Sequence, residues 1–415
     1  MKKLLCYLLI LITLFNLTAC SGIDAEELGK NVTKTPVTER ISDNSFVASQ
    51  TDFAIKLLQH TASENPNENL LVSPLSVMLA LSMTANGADS ETRNEMEKIL
   101  TGGFSLEMLN EYLYTYVNTL PSSKDSKLHI ANSIWMRNDE NFVVNEKFLE
   151  TNASYFDAQI YQADFDSKTV RDINRWVEKN TDGMIDQIIE EIPEDTLMYL
   201  INALSFDAEW DNIYEKFQIH DADFVSIDRK KNTVDMMYSS EWLYLEDTYA
   251  TGFIKDYKDG RYQFAALLPN EGIDLYDYIQ SLNSEALIQT LQNAENTVVQ
   301  AALPKFSYEF YTSLKDTLST MGIQAAFDVN SADFSRLGSY PDRNIFISDV
   351  IHKTCISVDV KGTKAGAATS IAMVEGSANP ADMKKVYLNR PFVYMIIESE
   401  SKLPLFIGTV TEINK

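Results

Sequence analysis

Four histidines (His60, His129, His220 and His352), three cysteines (Cys6, Cys20 and Cys355) and sixty carboxylates are the side chains here that could carry acid–base, nucleophilic or metal chemistry. Each such chemistry needs partners at a set spacing, and the sequence supplies none. No histidine stands in an H-E-x-x-H pair that would hold zinc on one helix face, and no C-x-x-C pair is present. No G-x-S-x-G elbow presents a nucleophile. The run GTKAGAAT (362–369) has the small residues of a phosphate loop but lacks the Gly-Lys-Ser/Thr ending and any βαβ surroundings. Among so many carboxylates, near pairs arise by chance, so a glycosidase dyad is not readable from them. The expectation is a protein that is not an enzyme and uses no metal or cofactor.

One stretch has a different capacity. Residues 362–380, GTKAGAATSIAMVEGSANP, are nearly all small and uncharged, and they lie between strand-like runs at 355–360 and 392–399. Taken as a strand, the stretch puts Thr363, Ala365, Ala367, Thr369, Ile371 and Met373 on one face. Lys364, Gly366, Ala368, Ser370, Ala372 and Val374 fall on the other. Lys364 is the one cation and belongs to the second set, so the first could enter a hydrophobic interior without burying an ion. The same residues also suit a permanently exposed loop.

The elements that would position this stretch follow from composition and periodicity. The chain has 415 residues, 45% of them hydrophobic and 23% charged, enough for a large core. Its formal charge of −25 argues against nucleic acid as a partner, since phosphate binding needs a concentrated basic surface. The start, MKKLLCYLLILITLFNLTAC, has two lysines and an apolar run too short for a comfortable membrane span. Leu17-Thr18-Ala19-Cys20 resembles the lipobox of bacterial lipoproteins, which implies cleavage before Cys20 and acylation of its thiol. Residues 1–19 are then a signal peptide, and 20–44 a lipidated cysteine with a flexible polar tether. The location expected is the cell envelope, lipid-anchored, with outer-surface exposure suggested by the acidic residues after Cys20. An ordinary secretory leader with a chance cysteine is the alternative. Cys355 would remain the single thiol, so no internal disulfide is expected.

Apolar spacing predicts a helix over 45–62, then a short strand broken by Ser73-Pro74 and a helix buried all round that stops near Asn86-Gly87. Further short helices are expected over 90–117, a strand over 128–139 and a helix over 169–185. Beyond about residue 197, long β-type segments dominate, interrupted by short helices at 274–282 and 312–321. The class is α+β.

Eight segments, taken in order, resemble the serpin family over roughly 46–414. They include NLLVSPLSVMLALSMTANGADSETRNEM (69–96), LINALSFDAEWDNIYEKF (200–217), ISDVIHKTCISVDVKGTKAGAAT (347–369) and LNRPFVYMIIESESKLPLFIGTV (388–410). The resemblance implies one domain over 45–415 with the serpin fold: three β-sheets, eight to nine helices and an exposed reactive-centre loop from Gly362 to about Pro380. It implies inhibition of a serine protease, or a cysteine protease, as a suicide substrate whose cleaved loop inserts into the central sheet. It places Asn69, Ser73, Ser76, Asn202 and His352 in a polar shutter beneath that sheet and Trp210 at the breach where insertion starts. Gly362, Thr363, Ala365, Gly366, Ala367 and Ala368 match the hinge of inhibitory members. Val360 and Lys364 stand where the family usually has glutamates, and both departures weigh against inhibition. Counting from Gly362 puts the scissile bond between Gly376 and Ser377. Cleavage after Glu375 is the rival and implies a Glu-preferring protease, and cleavage after Met373 or Val374 implies an elastase-like one. A monomer is expected. A non-inhibitory serpin fold used as a binding module at the cell surface remains the second reading.

Overall fold

Short polar side chains set the helix starts, because each accepts an amide hydrogen that the first turn leaves without a partner. In the computed structural model, which describes residues 23–120, 123–194, 196–341, 344–363 and 383–413, Asp43 caps α1 (Asn44–Glu64) and Ser73 caps α2 (Pro74–Ala85). Asp89, Ser105, Asn145 and Asp166 do the same for α3 (Ser90–Leu100), α4 (Leu106–Thr119), α5 (Glu146–Phe156) and α6 (Ser167–Asn180). Asp274 and Asn283 cap α7 (Leu275–Ser281) and α8 (Ser284–Gln292), while α9 (Lys315–Met321) closes at Gly322, whose φ is 120°. Every residue of α2 is buried, as its unbroken apolar run predicts. Helix α6 ends earlier than its apolar spacing suggests. The Thr181 hydroxyl donates to the Val177 carbonyl and accepts from Ile185 N–H, turning the chain away from the helix axis. Periodicity does not single out α8, because it buries only Leu287 and Leu291.

The described strands form three sheets. The first runs β1 (Glu26–Glu27), β5 (Gln159–Ala163), β3 (Ser126–Arg137), β6 (Met198–Glu209), β15 (Gly362–Thr363), β14 (Asp349–Val358) and β12 (Phe306–Ser313). The second runs β16 (Lys384–Tyr387), β11 (Glu295–Pro304), β8 (Lys231–Glu246), β9 (Ala250–Asp256), β10 (Tyr262–Pro269), β17 (Phe392–Glu398), β18 (Pro404–Val410) and β2 (Leu71–Val72), with β7 (Ile219–Val225) beside β8. The third pairs β13 (Gly338–Ser339) with β4 (Val143–Val144). The main core fills the space between the two large sheets and the helices around α2. A smaller core, with Trp135, Trp176, Tyr199 and Ile201 among its members, glues α6 to the outer face of the first sheet.

The expected free tether is corrected from Ile23 onward. The buried Asp172 carboxylate on α6 accepts the amide hydrogens of Asp24 and Ala25 at 2.9 and 3.1 Å, and Glu26–Glu27 then pair with β5 as an edge strand. Farther on, Thr35 N–H donates to Ser154 Oγ, Arg40 N–H donates to Thr115 Oγ1, and the Arg40 guanidinium bridges Glu111. A two-residue strand held by distant side chains leaves no periodic trace, so sequence spacing could not show it. Cys20, the proposed lipidation site, lies outside the described residues. Asp172→Ala should release both amides and, at about 1–3 kcal/mol for the lost charged acceptor, loosen residues 23–43. Limited proteolysis should then cut that segment faster while α1 stays protected, and an unchanged cutting rate would count against the contact.

Candidate functional site

Strands β6 and β14 run parallel but do not pair along their length. They meet directly only from Tyr199 opposite Asp349 to Ile201 opposite Ile351. At the upper end β15 lies between them, with Gly362 opposite Glu209 and Thr363 opposite Ala208 on one side and Thr363 opposite Val358 on the other. The two ends share one register, so residues 202–207 and 352–357 are aligned without pairing to each other, and among the described residues no strand lies between them; this interval is the gap. The turn into β15 is braced by Asp359, whose carboxylate accepts from Lys361 N–H at 2.7 Å and whose N–H donates to the Gly362 carbonyl at 2.9 Å. Gly362 has to be glycine, since a Cβ there would sit 2.0 Å from the Ala208 carbonyl oxygen.

Trp210 is fully buried directly beneath this turn. Its backbone N–H donates to the Lys361 carbonyl at 2.7 Å and its indole N–H to the Asp359 carbonyl at 2.9 Å. Its ring stacks on Tyr257 with centroids 4.5 Å apart. The Lys255 ammonium lies 5.5 Å from the centre of that ring and 4.6 Å from Tyr214, and is paired at 2.9 Å with the Glu241 carboxylate. Burial alone would lower the Lys255 pKa, but Glu241 and neighbouring groups outweigh it and raise the value, so the cation is retained. Val360, at the position where a family glutamate is usual, is partly buried and packs against the main core. An apolar contact thus replaces the charge at that position.

The residues assigned to the shutter are only partly brought together. His352, 4% exposed, accepts the Ser73 N–H at Nε2 over 3.2 Å, and the Ser73 hydroxyl donates to the Leu405 carbonyl at 2.9 Å. Ser76 is buried one turn away and its N–H donates to Ser73 Oγ. His352 is the first residue of β14 above the direct pairing with β6, so it marks the lower end of the gap. The backbone of Asn202 is opposite Asn132, while its side chain is not described. Asn69 is elsewhere. Its side chain accepts from Thr411 and Glu412 N–H and donates to the Glu412 carbonyl, clasping the chain end beyond β18. The other histidines lie on α1, β3 and β7 and do not converge with His352. No group of three or more His, Cys, Asp or Glu side chains fit to hold a metal occurs among the described residues. Ala365, Gly366, Ala367, Ala368, Glu375, Gly376 and Ser377 lie outside the described residues. Tyr257, Lys255 and Glu241 were not legible as site residues. Lys255 and Glu241 come from β9 and β8 and Tyr257 from just beyond β9, and no local pattern marks them.

The family profile described as Serpin (serine protease inhibitor) matches residues 48–413. The chain belongs to the serpin family. Most serpins are protease inhibitors rather than enzymes, and they generally target serine proteases. Among curated relatives, this serpin is 28% identical to Alpha-1-antiproteinase of Rattus norvegicus over 398 residues, covering 91% of this chain and 90% of the other. The crystal structure of a thermophilic serpin, tengpin, in the native state superposes with a TM-score of 0.90 at 46% identity, covering 94% of this chain and all of that one. The same protein in the latent state gives 0.81 at 45% identity, covering 91% of this chain and all of that one. The present conformation is therefore nearer the native one. Thyroxine-binding globulin, solved in complex with thyroxine, superposes at 0.77 with 25% identity over 89% of this chain and 99% of that one.

Gly362→Ala should force residues 362–363 out of the gap, at a cost of roughly 1–3 kcal/mol for overpacking against β6. Faster amide exchange at these residues is the expected readout, and exchange equal to wild type would overturn the close-approach argument. Burial lowers the His352 pKa from 6.5 to about 4. Between those pH values the unfolded chain binds a proton that the folded one does not. Stability therefore falls as pH drops from 6.5 towards 4, by on the order of 3 kcal/mol in all, with no contribution above that window. His352→Gln keeps a neutral acceptor and should flatten this slope in denaturant titrations. Equal slopes for both proteins would show that another group is responsible.

Proposed function

We propose that this serpin is a suicide-substrate inhibitor of a serine protease. The observation that supports the reading best is the gap between β6 and β14, entered at its upper end by Gly362 and Thr363. A strand continuing antiparallel to β6 from Thr363 opposite Ala208 would set residue 364 opposite Asp207 and residue 369 opposite Asn202. These six residues fill the gap down to Ile201, where the direct pairing with β14 begins. Residues 370–372 would then have to replace the pairs between 199–201 and 349–351. Thr363 points inward and is 2% exposed, so the period of two carries Ala365, Ala367 and Thr369 to the same core-facing side. Lys364 takes the outward register, where its charge stays wet.

In this reading a protease serine attacks a carbonyl within residues 373–376, releases the amine of the following residue and is left as an ester on the new C-terminus. Insertion of the severed strand then competes with hydrolysis of that ester. Burial of apolar side chains and completion of the backbone ladder favour insertion. The bond after Gly376 remains the family count; cleavage after the rival Glu375 would make the target a Glu-preferring enzyme and cleavage after Met373 or Val374 an elastase-like one, with a cysteine protease as the alternative. Lipidation at Cys20 would hold the inhibitor at the cell envelope. With Ile23 already docked on the body, the anchor would leave only a short span between lipid and fold.

Offered a protease that cuts within 373–377, the protein should form a covalent complex that survives boiling in detergent. Mass spectrometry of the released fragment should fix the bond. Thr363→Arg buries an unpaired charge and should cut the yield of complex at least tenfold, leaving cleavage intact. Clean cleavage of the wild-type protein with full protease activity retained, and no rise in melting temperature after nicking, would instead establish the non-inhibitory reading.

A further inference from the structure

Thr363 is held in the gap by a side chain that belongs to neither flanking strand. The Tyr257 hydroxyl lies 2.6 Å from Thr363 Oγ1, and both residues are buried. The phenol has little freedom to leave. Its ring is stacked on Trp210 at 4.5 Å and an interplanar angle of 12°, and meets Phe206 of β6 edge-on at 5.1 Å. Its backbone forms an isolated bridge with Trp210, and its N–H donates to the Tyr262 carbonyl at 3.2 Å. Trp210 in turn grips the turn at Asp359 and Lys361. One rigid aromatic pair therefore fixes both the turn before β15 and the side chain of its second residue.

We infer that Tyr257 is the positioning residue that holds the loop at its first step of insertion. The inference rests on the reading that residues following Thr363 enter the gap after cleavage. Trapping is a race between strand entry and hydrolysis of the acyl-enzyme. Strand growth needs a nucleus, as ladder formation is unfavourable until the first residues are fixed. With Gly362 and Thr363 already paired and the threonine hydroxyl engaged, that nucleus exists before the protease arrives. Without the phenol hydroxyl, Thr363 leaves a buried polar group unmatched, which favours its withdrawal.

Two variants test this in the full-length protein: Tyr257→Phe, which keeps the ring and its stacking, and Thr363→Val, which keeps the shape of the hinge residue. Tyr394→Phe is the control, since it breaks a comparable buried contact, Tyr394 Oη to Tyr308 Oη at 2.6 Å, without touching β15. Amide exchange in the uncleaved protein is the first readout. The segment 358–363 should exchange about fivefold faster in either site variant, the factor expected for one net buried hydrogen bond, and at the wild-type rate in the control. The double variant should be no faster than the singles, because both remove one shared contact. The second readout is the number of inhibitor molecules consumed per protease molecule trapped, which should rise severalfold in the site variants only. Exchange unchanged in both site variants overturns the inference. So does faster exchange with consumption no different from the control, because the contact would then be structural alone. If wild-type protein traps no protease at all, the inhibitory reading fails, while the exchange comparison still decides whether Tyr257 holds Thr363.

Discussion

The rest of the structure depends on one incompatibility: β6 and β14 keep a common register at both ends of a stretch over which they are not paired to each other. Each strand is satisfied on its outer side, β6 by β3 and β14 by β12, so the sheet remains continuous at its flanks. Its inner edges carry backbone groups whose best partner is another strand, because buried amides and carbonyls are costly to leave unmatched. The sheet is therefore held at its flanks and at both ends of this stretch, with no described strand between. Gly362 is the residue that permits the first contact, since nothing larger fits beside the Ala208 carbonyl.

The second large sheet gives this opening its floor and its upper boundary. Tyr257 follows β9, Phe264 lies in β10, and both pack against Trp210 at the end of β6. The Lys255–Glu241 pair beneath them is an unusual thing to bury. The Lys255 ammonium is met by the Glu241 carboxylate, and the Ser239 hydroxyl adds a donor to Glu241 at 2.6 Å. At the other end His352 must stay neutral to accept from Ser73, so the lower boundary of the gap is tied to the start of α2 and to β18 through Leu405. The opening is thus framed by aromatic stacking above and by a neutral imidazole below.

Much of this was legible residue by residue. The apolar face of α1 and the fully buried α2 follow from side-chain type and spacing, and local rules suffice for them. The inward register of Thr363 was legible too, because a period of two needs only the sequence. Asn69 was misplaced relative to the other shutter residues. Its neighbours Ser73 and Ser76 turn into a helix, while Asn69 stays with the chain end, and no pattern reports which distant backbone a side-chain amide will clasp. The docked segment after Ile23 was missed for the same reason, since its partners, Asp172 on α6 and Ser154 on α5, are more than a hundred residues away.

By itself the sequence determined that the chain is a serpin, that its stretch after Val360 has an uncharged face fit for burial, and that no catalytic constellation is spelled out in its motifs. These are properties of residue type and period. Only the tertiary structure decided that the sheet is already parted by two residues, that Tyr257 meets Thr363 across 106 positions of chain, and that a lysine can be buried beside Trp210 because Glu241 is there to meet it. Contacts of that kind are set by how sheets stack and where strands end, and local spacing carries no record of either.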